Sequence, residues 1–125
     1  MILGLDEIQK LYGKKYLDLR EEVFKKRDFL ESQKLALCHN DFQKSNIIKT
    51  PNDEYYMIDF EFMMNNDPYF DIAGFGNNDV NEGFNLLKEY TNNNYSLDDL
   101  TRFCYWRMLL SMQWHLVALI KDARG

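Results

Sequence analysis

Between Lys14 and about Gln33 the apolar residues Tyr16, Leu19, Val23 and Leu30 recur at helical spacing among many charges, which predicts an amphipathic helix with a solvated face. Leu35-Ala36-Leu37-Cys38 is a short apolar run that reads as a buried segment delivering the polar loop His39-Asn40-Asp41 to a site. Asn46-Ile47-Ile48-Lys49 and Tyr55-Tyr56-Met57-Ile58-Asp59 lean toward strand and flank Thr50-Pro51-Asn52-Asp53-Glu54, whose composition is that of a turn. A small hairpin is expected there, bringing the polar stretches on either side of it together. A helix is predicted from Val80 to about Tyr90, ended by Thr91-Asn92-Asn93-Asn94-Tyr95. Ser96 then serves as an N-cap, with Asp98 and Asp99 in a first turn where the helix dipole favours carboxylates. From Leu100 to Ile120 apolar residues fall on nearly every face, interrupted by Arg107, Gln113 and His115, so a buried helix is expected rather than a membrane span. The pattern gives an α+β fold, mostly α, in a single domain over residues 1–125, with one small β-hairpin and no internal repeat.

Composition narrows the function classes. With 125 residues, 46% of them hydrophobic, and a net charge of -5, the chain can build a core and is not disordered by composition. It has no basic stripe to neutralise a phosphate backbone, so nucleic acid is not an expected partner. The start, Met1-Ile2-Leu3-Gly4-Leu5-Asp6, has neither the positive region nor the apolar length of a signal peptide, so a cytoplasmic location and no membrane partner are expected. The cysteines, Cys38 and Cys104, are far apart and read as reduced packing residues.

The chemistry concentrates in His39-Asn40-Asp41-Phe42-Gln43-Lys44-Ser45-Asn46, where His-x-Asp-x4-Asn is the spacing of a phosphotransferase loop. Phosphoryl transfer needs a carboxylate to orient and accept the proton of the attacking hydroxyl, and oxygen ligands to hold Mg²⁺ against the phosphates. Asp41 and Asn46 fit those roles. In Met57-Ile58-Asp59-Phe60-Glu61-Phe62 a second carboxylate, Asp59, follows a strand and is placed to reach the same metal.

From about Leu35 to Phe75, and more loosely through the last helix, the chain resembles the C-terminal lobe of choline/ethanolamine kinases. These are relatives of the aminoglycoside phosphotransferases and, more distantly, of protein kinases. The resemblance lies in His39-Asn40-Asp41 with Gln43 and Asn46, and in Ile58-Asp59-Phe60-Glu61. It implies the C-terminal lobe of the protein-kinase-like fold, ATP as co-substrate and Mg²⁺ as cofactor. It further implies Asp41 as catalytic base, Asn46 and Asp59 as Mg²⁺ ligands, and Gln43 and Glu61 near metal and phosphate, with Glu61 a further candidate ligand. His39 would support the loop. Asn66-Asp67-Pro68-Tyr69-Phe70-Asp71-Ile72-Ala73 resembles the family's next segment, and there Asp71 would order the loop by accepting hydrogen bonds from its backbone.

Choline is recognised by aromatic faces, because a quaternary ammonium donates no conventional hydrogen bond. The family takes such aromatics from the late helix as Trp-x-x-Trp, which implies Trp114 as a substrate-binding residue, with Val117 where the second aromatic would stand. Tyr69, Tyr105 and Trp106 are the other aromatics that could serve, although an aromatic on an apolar helix is more often core. His115 has no carboxylate or cysteine at ligand spacing. No Gly-x-Gly-x-x-Gly occurs, so the lobe that clamps the triphosphate is expected to be absent and the chain incomplete alone, with a complementing N-terminal lobe or a homodimer as the expected partner. The expected function is transfer of the ATP γ-phosphate to the hydroxyl of a small amino-alcohol, choline or ethanolamine. The alternatives are a kinase of the aminoglycoside or thiamine type and a truncated, non-catalytic kinase-like module.

Overall fold

The computed structural model describes residues 5–124; Met1 to Gly4, on which part of the leader reading rests, and the Tyr16 side chain lie outside the described part. The chain runs α1 (Leu5–Phe24), α2 (Arg27–Glu31), β1 (Ala36–Cys38), a 3₁₀ turn (Lys44–Asn46), β2 (Ile47–Lys49), β3 (Tyr55–Met57), β4 (Met64–Asn66), α3 (Pro68–Phe75), α4 (Val80–Tyr90) and α5 (Leu97–Arg124). It is mostly helical with a small antiparallel strand set, as its sequence pattern predicts.

The first helical stretch departs from the expected bounds. It begins before Lys14 and breaks at Lys25-Lys26, where Lys26 sits at φ -97°, ψ 7° with no side-chain cap. No glycine or proline marks that break. Val23 and Leu30, on either side of it, are buried, whereas Leu19 is exposed.

The predicted hairpin is β2 and β3, antiparallel with Ile47 opposite Met57 and Lys49 opposite Tyr55. Its turn closes through the Glu54 carbonyl, which accepts from Thr50 N at 2.8 Å, and places Asp53 at φ 61°, a left-handed conformation that Asp tolerates. A second ladder, β1 with β4, pairs Ala36 with Asn66 and Cys38 with Met64. The run feeding the loop is not buried as expected. Leu35, Ala36 and Leu37, the last at 69%, are exposed and only Cys38 of the run is buried; Leu37 falls on the strand face opposite Cys38.

The core sits where α3 packs between α4 and α5: Tyr69, Ile72, Ala73, Leu87, Phe103 and Leu110 form one buried cluster. Asp67 caps α3 by accepting from Tyr69 N at 2.9 Å, and Pro68 fills the first helical position. α4 has its predicted bounds and ends in Asn92 and Asn93, both left-handed, with Asn93 N donating to Lys88 O at 2.7 Å. Ser96 and Asp99 cap α5 reciprocally: Asp99 N donates to Ser96 Oγ at 3.2 Å and Ser96 N to Asp99 Oδ2 at 2.7 Å. α5 is not buried all round as expected; Phe103 and Leu110 are buried while Leu97 and Trp114 are exposed. A long helix at the rim of a small domain has neighbours on one side only. Among the described residues no helix is long and apolar enough to cross a membrane.

Candidate active site

The loop between β1 and the 3₁₀ turn is held by α3. Asp71, in the first turn of that helix, accepts from two consecutive backbone amides, His39 N at 2.7 Å and Asn40 N at 2.8 Å. One rigid carboxylate therefore fixes the peptide plane just before Asp41. Asn40 adopts φ 64° and ties the loop to the β4 side, its amide donating to Phe62 O at 2.8 Å and accepting from Asn66 Nδ2 at 2.9 Å. The buried His39 ring is polarised in one tautomer by its partners. Nδ1 accepts from Asp41 N at 3.2 Å, so the proton sits on Nε2, which donates to Ile58 O at 2.7 Å. Phe60 and Phe42 pack on that ring at centroid distances of 5.3 and 6.3 Å.

Asp41 is clamped by two amides. Gln43 Nε2 donates to its Oδ1 at 3.1 Å, and Asn46 Nδ2 donates to its Oδ2 at 3.1 Å and to its backbone O at 2.8 Å. With both Asn46 contacts on acceptors, the amide cannot be turned round, so Oδ1 of this buried side chain is fixed as the free atom and accepts no hydrogen bond among the described residues. Asp59 follows directly. Ile58 N donates to Asn46 O at 2.9 Å while Ile58 O accepts from His39, so both neighbours of that peptide are loop residues. Asp59 itself is exposed, without a hydrogen-bond or ion-pair partner among the described residues, and left-handed at φ 62°. A buried amide oxygen without a donor and a bare carboxylate, tied together through Ile58, suit a hard cation that takes oxygen ligands. Among the described residues no group of three His, Cys, Asp or Glu side chains is gathered for a metal, so this set would rest on Asn46 and Asp59 with ligands from elsewhere.

Asp41 also borders a cleft of about 470 Å³ with Gln43, Glu61, Phe62, Gln113 and Trp114 among its walls. The structure thus brings Asp41, Gln43, Glu61 and Trp114 to one cleft, while Asn46 and Asp59 do not line it. Tyr69, one of the aromatics offered for substrate, is a correction. It is buried in the core, with its hydroxyl donating to Asp99 Oδ1 at 2.5 Å and the Arg102 guanidinium over its ring at 3.7 Å. Burial, and then that hydrogen bond, push its hydroxyl well above the ordinary tyrosine value. Trp106 is a core residue too: its Nε1 donates to Asp67 Oδ2 at 3.0 Å and its ring meets Phe70 edge-on.

Sequence reasoning missed the buried Asp67, which also receives Arg102 in a two-atom contact at 2.5 and 3.2 Å. The Asp-Pro step was its available signal, being a helix cap followed by proline at the first helical position. It also missed the tie from Lys44 to Glu82, an ion pair between the loop and α4. Of the cysteines, Cys38 is buried and its thiol is pushed up to about 11, by burial first and the Asp71 carboxylate second. Cys104 is exposed rather than packed.

Solved structures share this fold. A choline/ethanolamine kinase family protein from Mesorhizobium loti superposes with a TM-score of 0.75 at 22% identity, over 95% of this chain and 44% of that one. The choline kinase LicA from Streptococcus pneumoniae matches with a TM-score of 0.65 at 23% identity, over 88% of this chain and 41% of its own. LicA in complex with AMP matches with a TM-score of 0.65 at 25% identity, over 88% of this chain and 40% of its own. The chain spans less than half the length of these structures. No curated protein matches it. The family model for choline/ethanolamine kinases matches residues 6–104, and the chain belongs to that family.

Proposed function

We propose that the chain is the acceptor-side lobe of an ATP- and Mg²⁺-dependent phosphotransferase acting on the hydroxyl of a small amino-alcohol, choline or ethanolamine. The observation that carries this reading is the cleft. Its lining includes the carboxylates of Asp41 and Glu61 and no Lys, Arg or His, and Asp41 is aimed by the amides of Gln43 and Asn46. Such a lining attracts a cation and repels an anion. Family membership and the superposition on kinase structures support the same chemistry.

In the proposed reaction Asp41 accepts the hydroxyl proton while the hydroxyl oxygen bonds to the γ-phosphorus and the bond from that phosphorus to the departing ADP oxygen breaks. Asn46 Oδ1 and Asp59 would hold Mg²⁺, which when bound offsets the charge on the phosphate oxygens. Gln43 restrains the base, and Glu61 and Trp114 receive the substrate's cation by charge and by aromatic face. His39 and Asp71 hold the loop. The clamp on the rest of the nucleotide comes from residues outside 1–125. The exposed apolar side chains of the strands, Leu37, Tyr55 and Met64 at 69, 65 and 62%, support a covering partner that is a complementing lobe or a second copy.

The test is Mg²⁺-dependent phosphoryl transfer to choline and ethanolamine by the full-length or complemented protein. Asp41→Asn should lower kcat by about 10²- to 10⁴-fold. Undiminished turnover in that variant, or transfer confined to a large polycation such as an aminoglycoside, overturns the assignment.

A further inference from the structure

The walls of the cleft separate a primary ammonium from a quaternary one. A quaternary ammonium carries no N–H and is held by several aromatic faces around it, whereas a primary ammonium carries three N–H donors that need acceptors. Of the four aromatic rings lining the cleft, Phe42 stacks on Phe75 at 5.4 Å and Phe70 meets Trp106 edge-on at 5.4 Å. Phe62 and Trp114 remain half exposed, and Val117, one turn beyond Trp114, does not line the cleft.

The acceptors run the other way. Asn40, Asn66 and Gln43, all cleft residues, have their side-chain amides engaged in the loop network. Asn77 and Gln113, also cleft residues, are exposed and have no side-chain hydrogen bond among the described residues. With the Glu61 carboxylate they give the cleft three acceptor side chains outside that network. A site that offers acceptors to N–H donors rejects an analogue lacking them, because its polar groups are then desolvated without partners.

We infer that this cleft selects a protonated primary amino-alcohol over its trimethylated counterpart, with Asn77 and Gln113 as the residues that make the choice. The inference rests on the amino-alcohol reading above and narrows it. Glu61 attracts either cation by its charge and also accepts from N–H donors, so it raises affinity for both and adds to the preference. The two amides carry no charge and serve discrimination alone, since only N–H donors use them.

Calorimetric titration of the full chain with ethanolamine, N-methylethanolamine, N,N-dimethylethanolamine and choline tests this directly. Kd should rise along the series, by about tenfold or more from first to last. Asn77→Leu and Gln113→Leu, both at exposed positions, should weaken ethanolamine and leave choline unchanged, narrowing that ratio. Choline binding as tightly as ethanolamine, or the Leu variants weakening both alike, overturns this inference while leaving the amino-alcohol reading intact. Failure of every member of the series to bind overturns both.

Discussion

Asp71 shows how much one side chain sets at this site. Its two oxygens each receive a backbone N–H, from His39 and Asn40. Asp71→Asn keeps the shape but turns one acceptor into a donor facing an N–H, so one partly buried amide loses its bond, at a cost of about 1–3 kcal/mol. The variant should lose that stability in urea denaturation and show faster hydrogen exchange at His39 and Asn40. Unchanged exchange at both amides would show that the loop is held by other contacts. The loop residues were legible in the sequence because His39, Asp41, Asn46 and Asp59 sit at fixed spacing in a short stretch, and local spacing survives in the fold as local geometry. Tyr69 was misread because an aromatic beside a candidate site looks alike in sequence whether it faces a cleft or a core; only the position of Asp99, thirty residues on, decides it. Asn40 and Asp67 act through partners distant in sequence and gave no such pattern.

At the scale of elements, what was legible is what local chemistry dictates. Asp79, the N-cap of α4 that accepts from Asn81 N, the left-handed asparagines at its end and the Ser96–Asp99 box are short-range devices, and those boundaries follow from them. The β1–β4 ladder was not legible, since three-residue strands paired across some 28 positions leave no periodicity to read. The close approach of α3 and α4 was equally hidden: a Cβ on Gly83 would come within 2.8 Å of Gly76 Cα, so both glycines are there for backbone contact. The cap of α5 carries a pH signature. Burial alone would raise the Asp99 carboxyl, but the hydrogen bonds from Ser96 N, Tyr69 and Ser96 Oγ outweigh it and hold it below its ordinary value. A depressed carboxyl stabilises the fold above its unfolded value of about 3.9 and loses that contribution as pH falls through the lower folded value. Tyr69→Phe removes one of those bonds. Its urea midpoint should therefore lie below that of the wild type at pH 6, with the gap narrowing as pH drops below about 3.9. A gap of constant size across that range would place the tyrosine's contribution in packing alone.

For the whole molecule, the distribution of apolar surface is the feature that composition could not reveal. The helices enclose one core, while the strands around the site leave Leu37, Ile48, Tyr55, Tyr56, Met57 and Met64 exposed, as is Leu35 just before β1. Side chains left this exposed add little to folding, and short strands with open edges are poor surfaces to leave in water. If a complementing lobe or second copy covers Leu37 and Met57, replacing both by lysine removes an interface and little else. Side chains already more than half in solvent contribute little to folding, so Leu37→Lys/Met57→Lys should keep its urea midpoint, within about 0.5 kcal/mol of stability per site. In sedimentation equilibrium the 125-residue wild-type chain should gain apparent mass with concentration, while the double variant stays monomeric. Identical sedimentation of the two would exclude a second copy as the cover of Leu37 and Met57 and leave a complementing lobe as the partner to test there.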